Sequence, residues 1–221
     1  MSQVNPSKLE LERIYTSHHS DGLKYGRLRA RERGLYLAEW IGKGKEVLDL
    51  GCRDGELTRY FCADNKVLGV DVDRKALDLA KDKLGIETRW VDLNVEFPFA
   101  PESFDVVVAC EVMEHIYHPR TLPERIHSVL RPGGLFAGSV PNAFRLANRM
   151  KFLFGQEFDK DPMHLHVFSR AKLRTMLSEH FRDVEIVPVG GCIVPGLRIS
   201  RRTPRLIGVL CARGLLWRCV K

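Results

Sequence analysis

From Val47 onward, short runs of β-branched and aliphatic residues alternate with stretches whose apolar positions recur at helical spacing. The runs that read as strands are Glu46 to Leu50, Val67 to Asp71, Glu87 to Val91, Phe104 to Ala109, Gly134 to Val140, Val184 to Val189 and a last one near Leu216 to Lys221. Between them, Glu56 to Cys62, Arg74 to Lys83, Leu122 to Leu130 and Arg170 to Phe181 read as helices. Asp73 is placed to cap the second of these, since its side-chain oxygen can accept from the free backbone donors of a first helical turn. Pro132, Gly133 and Gly134 break the chain ahead of the fifth strand. Such alternation predicts an α/β domain, a parallel sheet covered by helices on both faces.

Two segments stand outside the alternation. Residues 1–45 begin polar and continue as an amphipathic pattern from Leu28 to Ile41, read as a helical cap or lid before a domain spanning 46–221. Asn142 to Pro162 is a long insertion after the fifth strand, in which Phe144, Met150, Phe152, Leu153 and Phe154 mix with Arg145, Arg149 and Lys151. It reads either as a surface helix packed on the domain or as an acceptor lid or membrane-contacting element.

With 221 residues, 44% of them apolar, the chain can bury one substantial core, and its length favours one domain with a small appendage over two full domains. The net charge of +7 gathers at Lys24 to Arg33 and in a basic C-terminal segment, 198–221. That charge suits nucleic acid, a phosphorylated glycan or a membrane surface, or serves as plain solubilising charge. In the C-terminal segment, Leu206, Val209, Leu210 and Leu215 would form one apolar helical face beside arginines. This face would either dock peripherally on an anionic membrane or complete the core. The six cysteines include no CxxC pair, which points to reduced thiols rather than a zinc site or a disulfide framework. The polar N-terminus lacks the apolar core of a signal peptide, and Leu206 to Val220, interrupted by Arg213 and Arg218, is too short to span a bilayer. The expectation is a cytoplasmic protein.

In open parallel sheets the ligand crevice lies beyond the carboxyl ends of the strands, at the point where strand order reverses. After the first strand comes Asp49-Leu50-Gly51-Cys52-Arg53-Asp54-Gly55, whose glycines allow a sharp turn and close approach to a ligand. A glycine turn alone would equally suit NAD. Asp71 closes the second strand about 20 residues on, the spacing at which a carboxylate can accept both hydroxyls of an adenosine ribose. Asp92 closes the third strand and is placed to receive an adenine amino group.

In unbroken order, VLDLGCRDGELT, VLGVDVD, WVDLN, FDVVVACEVMEH and LRPGGLFAGSVPN resemble the successive motifs of the class I methyltransferase superfamily over about residues 45–142. The resemblance implies a Rossmann-like seven-stranded sheet, mostly parallel with an antiparallel last strand, and S-adenosylmethionine lying across the first strand ends. It further implies that Gly51 and Gly55 face the methionine portion, Asp71 the ribose and Asp92 with Leu93 the adenine. Asp49, Cys52, Arg53 and Val72 complete the cofactor set, and Cys110 and Glu111 border the methyl group. Arg53 departs from the family pattern, which has glycine there. Its side chain must point away from the cofactor or pair with the cofactor's carboxylate.

Methyl transfer from a sulfonium needs alignment of donor and acceptor and a destination for the acceptor's proton. Glu111, Glu114 and His115 are spaced i, i+3 and i+4, one face if the segment is helical, and could hold magnesium or another divalent ion. Together with Ser139-Val-Pro-Asn142 and His164-Leu-His166, the motif resembles two branches of the superfamily, the ubiquinone-pathway O-methyltransferases and the small-RNA 2'-O-methyltransferases. The resemblance implies a magnesium site at Glu111, Glu114 and His115, with His166, or else His164, as a further ligand. A metal there would lower the pKa of an acceptor hydroxyl. Without one, His115 is the expected general base, His166 the next candidate, and Glu114 their catalytic neighbour. His118 reads as a turn residue. His18 and His19 read as lid residues or as loop histidines without a role.

Three functions remain open at this level. The first is O-methylation of a small molecule, sugar or glycan, and the second is 2'-O-methylation of RNA. The third is a non-catalytic S-adenosylmethionine-binding regulator or scaffold. The charge favours RNA, but the aromatic residues do not interleave with the basic clusters as a base-stacking surface requires.

Overall fold

A computed structural model describes residues 23–159, 161–194, 197–200 and 203–221, so His18 and His19 lie outside the described residues. In chain order the strands are β1 (Glu46–Leu50), β2 (Lys66–Asp71), β3 (Glu87–Trp90), β4 (Phe104–Cys110), β5 (Leu130–Pro141), β6 (Arg182–Val189), β7 (Cys192–Val194), β8 (Leu197–Arg198) and β9 (Gly214–Val220). Seven of them form one sheet in the order β3-β2-β1-β4-β5-β9-β6, and β7 pairs with β8 apart from it. Neighbours from β3 to β5 are parallel. The last strand, β9, runs antiparallel between β5 and β6. The chain therefore forms the expected Rossmann-like sheet.

The helices are α1 (Leu23–Ile41), α2 (Arg74–Leu84), α3 (Thr121–Val129), α4 (Leu146–Leu153), α5 (Arg170–Ser178) and α6 (Arg205–Cys211). Successive strand residues point to opposite faces, which makes two apolar layers. Leu48, Leu50, Val107 and Phe136 pack against Leu122 and Ile126 of α3 and Leu173, Met176 and Leu177 of α5. On the other face, Val47, Val67, Val106 and Val108 pack against Leu37 and Ile41 of α1 and Ala80 of α2. Asp73 caps α2 as its sequence position predicts, accepting from the Ala76 N–H at 3.2 Å.

Three local readings are corrected. The helix expected over Glu56 to Cys62 is a single 3-10 turn, Thr58–Tyr60. Its amides are divided between carbonyls three and four residues back, and the Thr58 hydroxyl is drawn under the turn to donate to the Asp49 carboxylate at 2.6 Å. The segment 111–115 is likewise not a continuous helix. Glu111 sits at φ 58°, and only Met113–His115 makes a 3-10 turn. Finally, Pro132 to Gly134 does not stop the chain before β5. The strand starts at Leu130, and its register shifts as Leu130 pairs with Phe104 and Leu135 with Val106.

Candidate active site

Strand order reverses between β1 and β4, and the carboxyl ends of β1, β2 and β4 open onto a cavity of about 530 Å³, a size that holds small ligands and cofactors. The turn after β1 forms its floor. Gly51 has φ 69°, and a Cβ there would lie 2.6 Å from Val112 Cγ2, so only glycine fits. Arg53 also occupies the left-handed region, at φ 52°, and its backbone N–H donates to Asp71 Oδ2 at 3.0 Å. The Asp73 N–H donates to Asp71 Oδ1, also at 3.0 Å, which fixes this carboxylate at the tip of β2. Burial pushes Asp71 up to about 6 although these amides pull it down. Burial likewise pushes Asp49 up to about 7, opposed by the Thr58 hydroxyl.

Val72, Asp92 and Leu93 line the same cavity with Asp49, Cys52 and Arg53. Asp92 Oδ1 accepts from the Asn94 N–H at 2.9 Å. Asn94 Oδ1 in turn accepts from the Tyr117 N–H at 2.8 Å, tying the loop after β3 to the segment after β4. Gly55 lies outside the lining, because a Cβ there would strike Leu84 of α2. Its need for glycine is helix packing.

At the β4 end the wall becomes ionisable. Cys110 is buried, and burial holds its thiol up at about 12, so it offers no thiolate. Glu111 faces a cation from α1: Arg33 Nη1 lies 2.9 Å from Glu111 Oε1 and donates to Ser139 Oγ at 3.0 Å, while the Ser139 hydroxyl donates to Glu111 Oε1 at 2.8 Å. Glu114 is 1% exposed, and neither of its oxygens accepts a hydrogen bond from another residue among those described. Burial, with the charge of Glu111 second, raises its pKa well above the carboxylate range. One ligand atom each from Glu114, His115 and His164 lie within 4.8 Å of one another. Burial lowers the His115 pKa, and its Nδ1 lies 2.9 Å from the Met163 carbonyl. A carbonyl only accepts, so Nδ1 carries the proton and Nε2 the basic lone pair.

The loop bearing the two later histidines is clipped to this turn, since the N–H groups of Leu165 and His166 donate to the Glu114 carbonyl at 2.8 and 3.2 Å. His164 is the histidine brought to the cluster. Its ring centroid is 4.9 Å from that of His115, and its Nδ1 meets Asp159 Oδ2 at 2.8 Å. The side chain of His166 lines the cavity but turns to the Tyr117 carbonyl at 3.3 Å. Glu111, His115 and His166 thus border the cavity, Glu114 lies beneath it, and Glu111 is engaged by Arg33. Sequence reasoning missed Arg33 and Asn94. No local pattern marks a residue whose partners lie on strands far along the chain, although a strand-end aspartate followed two residues later by asparagine signals the turn Asn94 makes.

The methyltransferase domain family matches residues 23–181. Over 145 residues the chain is 30% identical to a protein of Mycolicibacterium smegmatis named Probable S-adenosylmethionine-dependent methyltransferase, covering 64% of this chain and 53% of that one. It is 31% identical over 123 residues to a ubiquinone biosynthesis O-methyltransferase of Klebsiella pneumoniae, covering 53% and 48%. The chain thus spans about half the length of the curated relatives it matches. Among solved structures, a Thermotoga maritima SAM-dependent methyltransferase, described as a possible histamine N-methyltransferase, superposes with TM-score 0.69 at 14% identity, covering 95% and 97%. An Archaeoglobus fulgidus SAM-dependent methyltransferase superposes with TM-score 0.66 at 19% identity, covering 87% and 94%. At such identities the likeness is one of fold.

Proposed function

The chain belongs to the methyltransferase domain family, and from that premise we propose that it moves the methyl group of S-adenosylmethionine to a hydroxyl oxygen of a small molecule or sugar. The observation that carries this reading is His115, half-buried in the turn after β4 with Nδ1 fixed by the Met163 carbonyl and bordering the cavity that the glycine turn floors. Asp71, held by two amides, still has acceptor capacity for ribose hydroxyls, and Gly51 leaves the space a Cβ would fill. These features fit the family's cofactor.

S-adenosylmethionine, when bound, would supply an electrophilic methyl group to the acceptor oxygen, its sulfur keeping the electron pair of the broken carbon–sulfur bond and leaving as neutral S-adenosylhomocysteine. The hydroxyl proton passes to His115, which its lowered pKa keeps neutral and able to receive it. The unpartnered buried carboxylate of Glu114, with His115 and His164, also fits a divalent ion, which when bound would acidify the acceptor hydroxyl. The donor atoms that lie together are those of one carboxylate and two imidazoles, while Glu111 pairs with Arg33 and His166 meets the Tyr117 carbonyl.

The test is transfer of radiolabelled methyl to panels of phenols, sugars and RNA. Transfer to a hydroxyl compound, lost roughly 100-fold or more in His115→Ala, is the expected result. Transfer confined to RNA, with binding that falls steeply with salt, would replace the acceptor class. Cofactor binding without transfer to any panel member would reduce the protein to a binding role. Activity that survives chelation but not His115→Ala leaves the histidine alone as base.

A further inference from the structure

The insertion after β5 carries α4 beside the cavity, with Arg145 and Asn148 in the cavity wall. Much of the rest of α4 faces solvent. Phe144, Leu146 and Met150 are 44, 50 and 43% exposed, and Phe152, Leu153 and Phe154 at its end are 74, 73 and 70% exposed. Helix α6 packs beside α4 and adds Leu206, 74% exposed, and Ile207. Neither helix contains an acidic residue, and exposed Arg149 and part-exposed Lys151 alternate with the apolar side chains of α4.

We propose that α4 and α6 form a docking surface for an anionic lipid bilayer, which would present a membrane-borne acceptor at the mouth of the cavity. Two observations favour a bilayer over a protein partner. A protein groove accepts one stripe of a helix, at i, i+3, i+4 and i+7. Here Phe152 and Leu153 in the last turn and Phe154 at the cap, three consecutive residues, are all more than two-thirds exposed, a spread that a fluid apolar phase takes together. The interleaved basic residues, without acidic ones, complement anionic headgroups. This inference does not depend on the acceptor atom or on the base, and its readout is lipid binding, not methyl transfer.

The full chain is sedimented with vesicles of phosphatidylcholine alone and of phosphatidylcholine mixed with phosphatidylglycerol. It should pellet with the anionic vesicles and be partly released by salt. Phe152→Ser, Leu153→Ser and Phe154→Ser combined should weaken binding by about tenfold or more, because even one lost apolar side chain is worth about that much. An unchanged circular dichroism spectrum would show that the triple variant folds, as the exposure of these side chains leads one to expect. Arg149→Glu with Lys151→Glu should weaken binding and flatten its salt dependence. Failure of the wild type to pellet, or undiminished binding by the triple variant, overturns the proposal. So does sedimentation velocity showing a wild-type dimer that the triple variant abolishes, which would make the face an interface between copies.

Discussion

Gly51 and Arg53 share the left-handed backbone region, yet the turn needs different things from them. At Gly51 a methyl group meets both an unfavourable φ, worth about 1–2 kcal/mol, and Val112 Cγ2. Gly51→Ala should therefore lower the melting temperature and abolish cofactor binding by calorimetry. At Arg53 the backbone N–H is what holds Asp71, and glycine supplies the same N–H without the strain. Arg53→Gly should keep cofactor affinity within a few-fold. Asp71 also sets a pH dependence, because a carboxylate accepts two ribose hydroxyls only when ionised. With its pKa at about 6, affinity should rise with pH to about 6 and then level off. Its contribution to folding has the opposite sign. The folded pKa lies above the ordinary 3.8, so the native state holds the proton more tightly. That stability is full below pH 3.8 and is lost as pH rises through about 6. Added cofactor should thus raise the melting temperature more at about pH 7 than at about pH 5.

At the scale of elements, the sequence was readable where the chain's own periodicity decides the structure. Strands β1, β2 and β4 lie within a residue of their expected bounds, because buried parallel strands read as continuous apolar runs. It was less readable where a distant partner decides. The turn after β1 is pulled out of helical form by Asp49 and Thr58, and the EVMEH segment takes a left-handed step at Glu111 before its 3-10 turn. A single residue separates His164 from His166, and the clip to the Glu114 carbonyl sets which one joins His115. Helix α1 shows the same dependence. Its amphipathic pattern was visible, but not that Arg33 would join it to the ends of β4 and β5 through Glu111 and Ser139. The side chains of Arg33 and Glu111 are 14 and 35% exposed, so water and the Ser139 hydroxyl still reach the carboxylate that Arg33→Ala leaves, and the loss in urea unfolding should be about 1 kcal/mol. Adding Glu111→Gln should recover part of the loss, the non-additivity expected of two residues in contact.

Across the whole molecule, described arginines from the two basic runs of the sequence are taken up by the fold and the cavity, and Arg33 and Arg213, one from each run, line that cavity together. Arg33 points inward to Glu111, Arg213 lines the cavity, and Arg218 pairs with Glu185 at 2.7 Å while lying over the Trp40 ring. The C-terminal segment is therefore not a detachable basic tail. Its strand β9 enters between β5 and β6, so a chain ended before Gly214 would expose two unpaired strand edges and should lose cooperative unfolding. Trp217 is the residue on which this closure rests. It is fully buried, packs over Gly138, and meets Phe136 edge-on at 5.7 Å, yet its indole N–H has no hydrogen-bond partner among the described residues. Trp217→Ala removes the ring and leaves a cavity, which should cost about 3–5 kcal/mol. Trp217→Phe leaves a smaller void but also removes the unpaired donor, an offset that should keep the change within about 1 kcal/mol. Urea titration of both variants separates the two effects: a phenylalanine variant as unstable as the alanine one would mean that the indole N–H does have a partner in the folded protein.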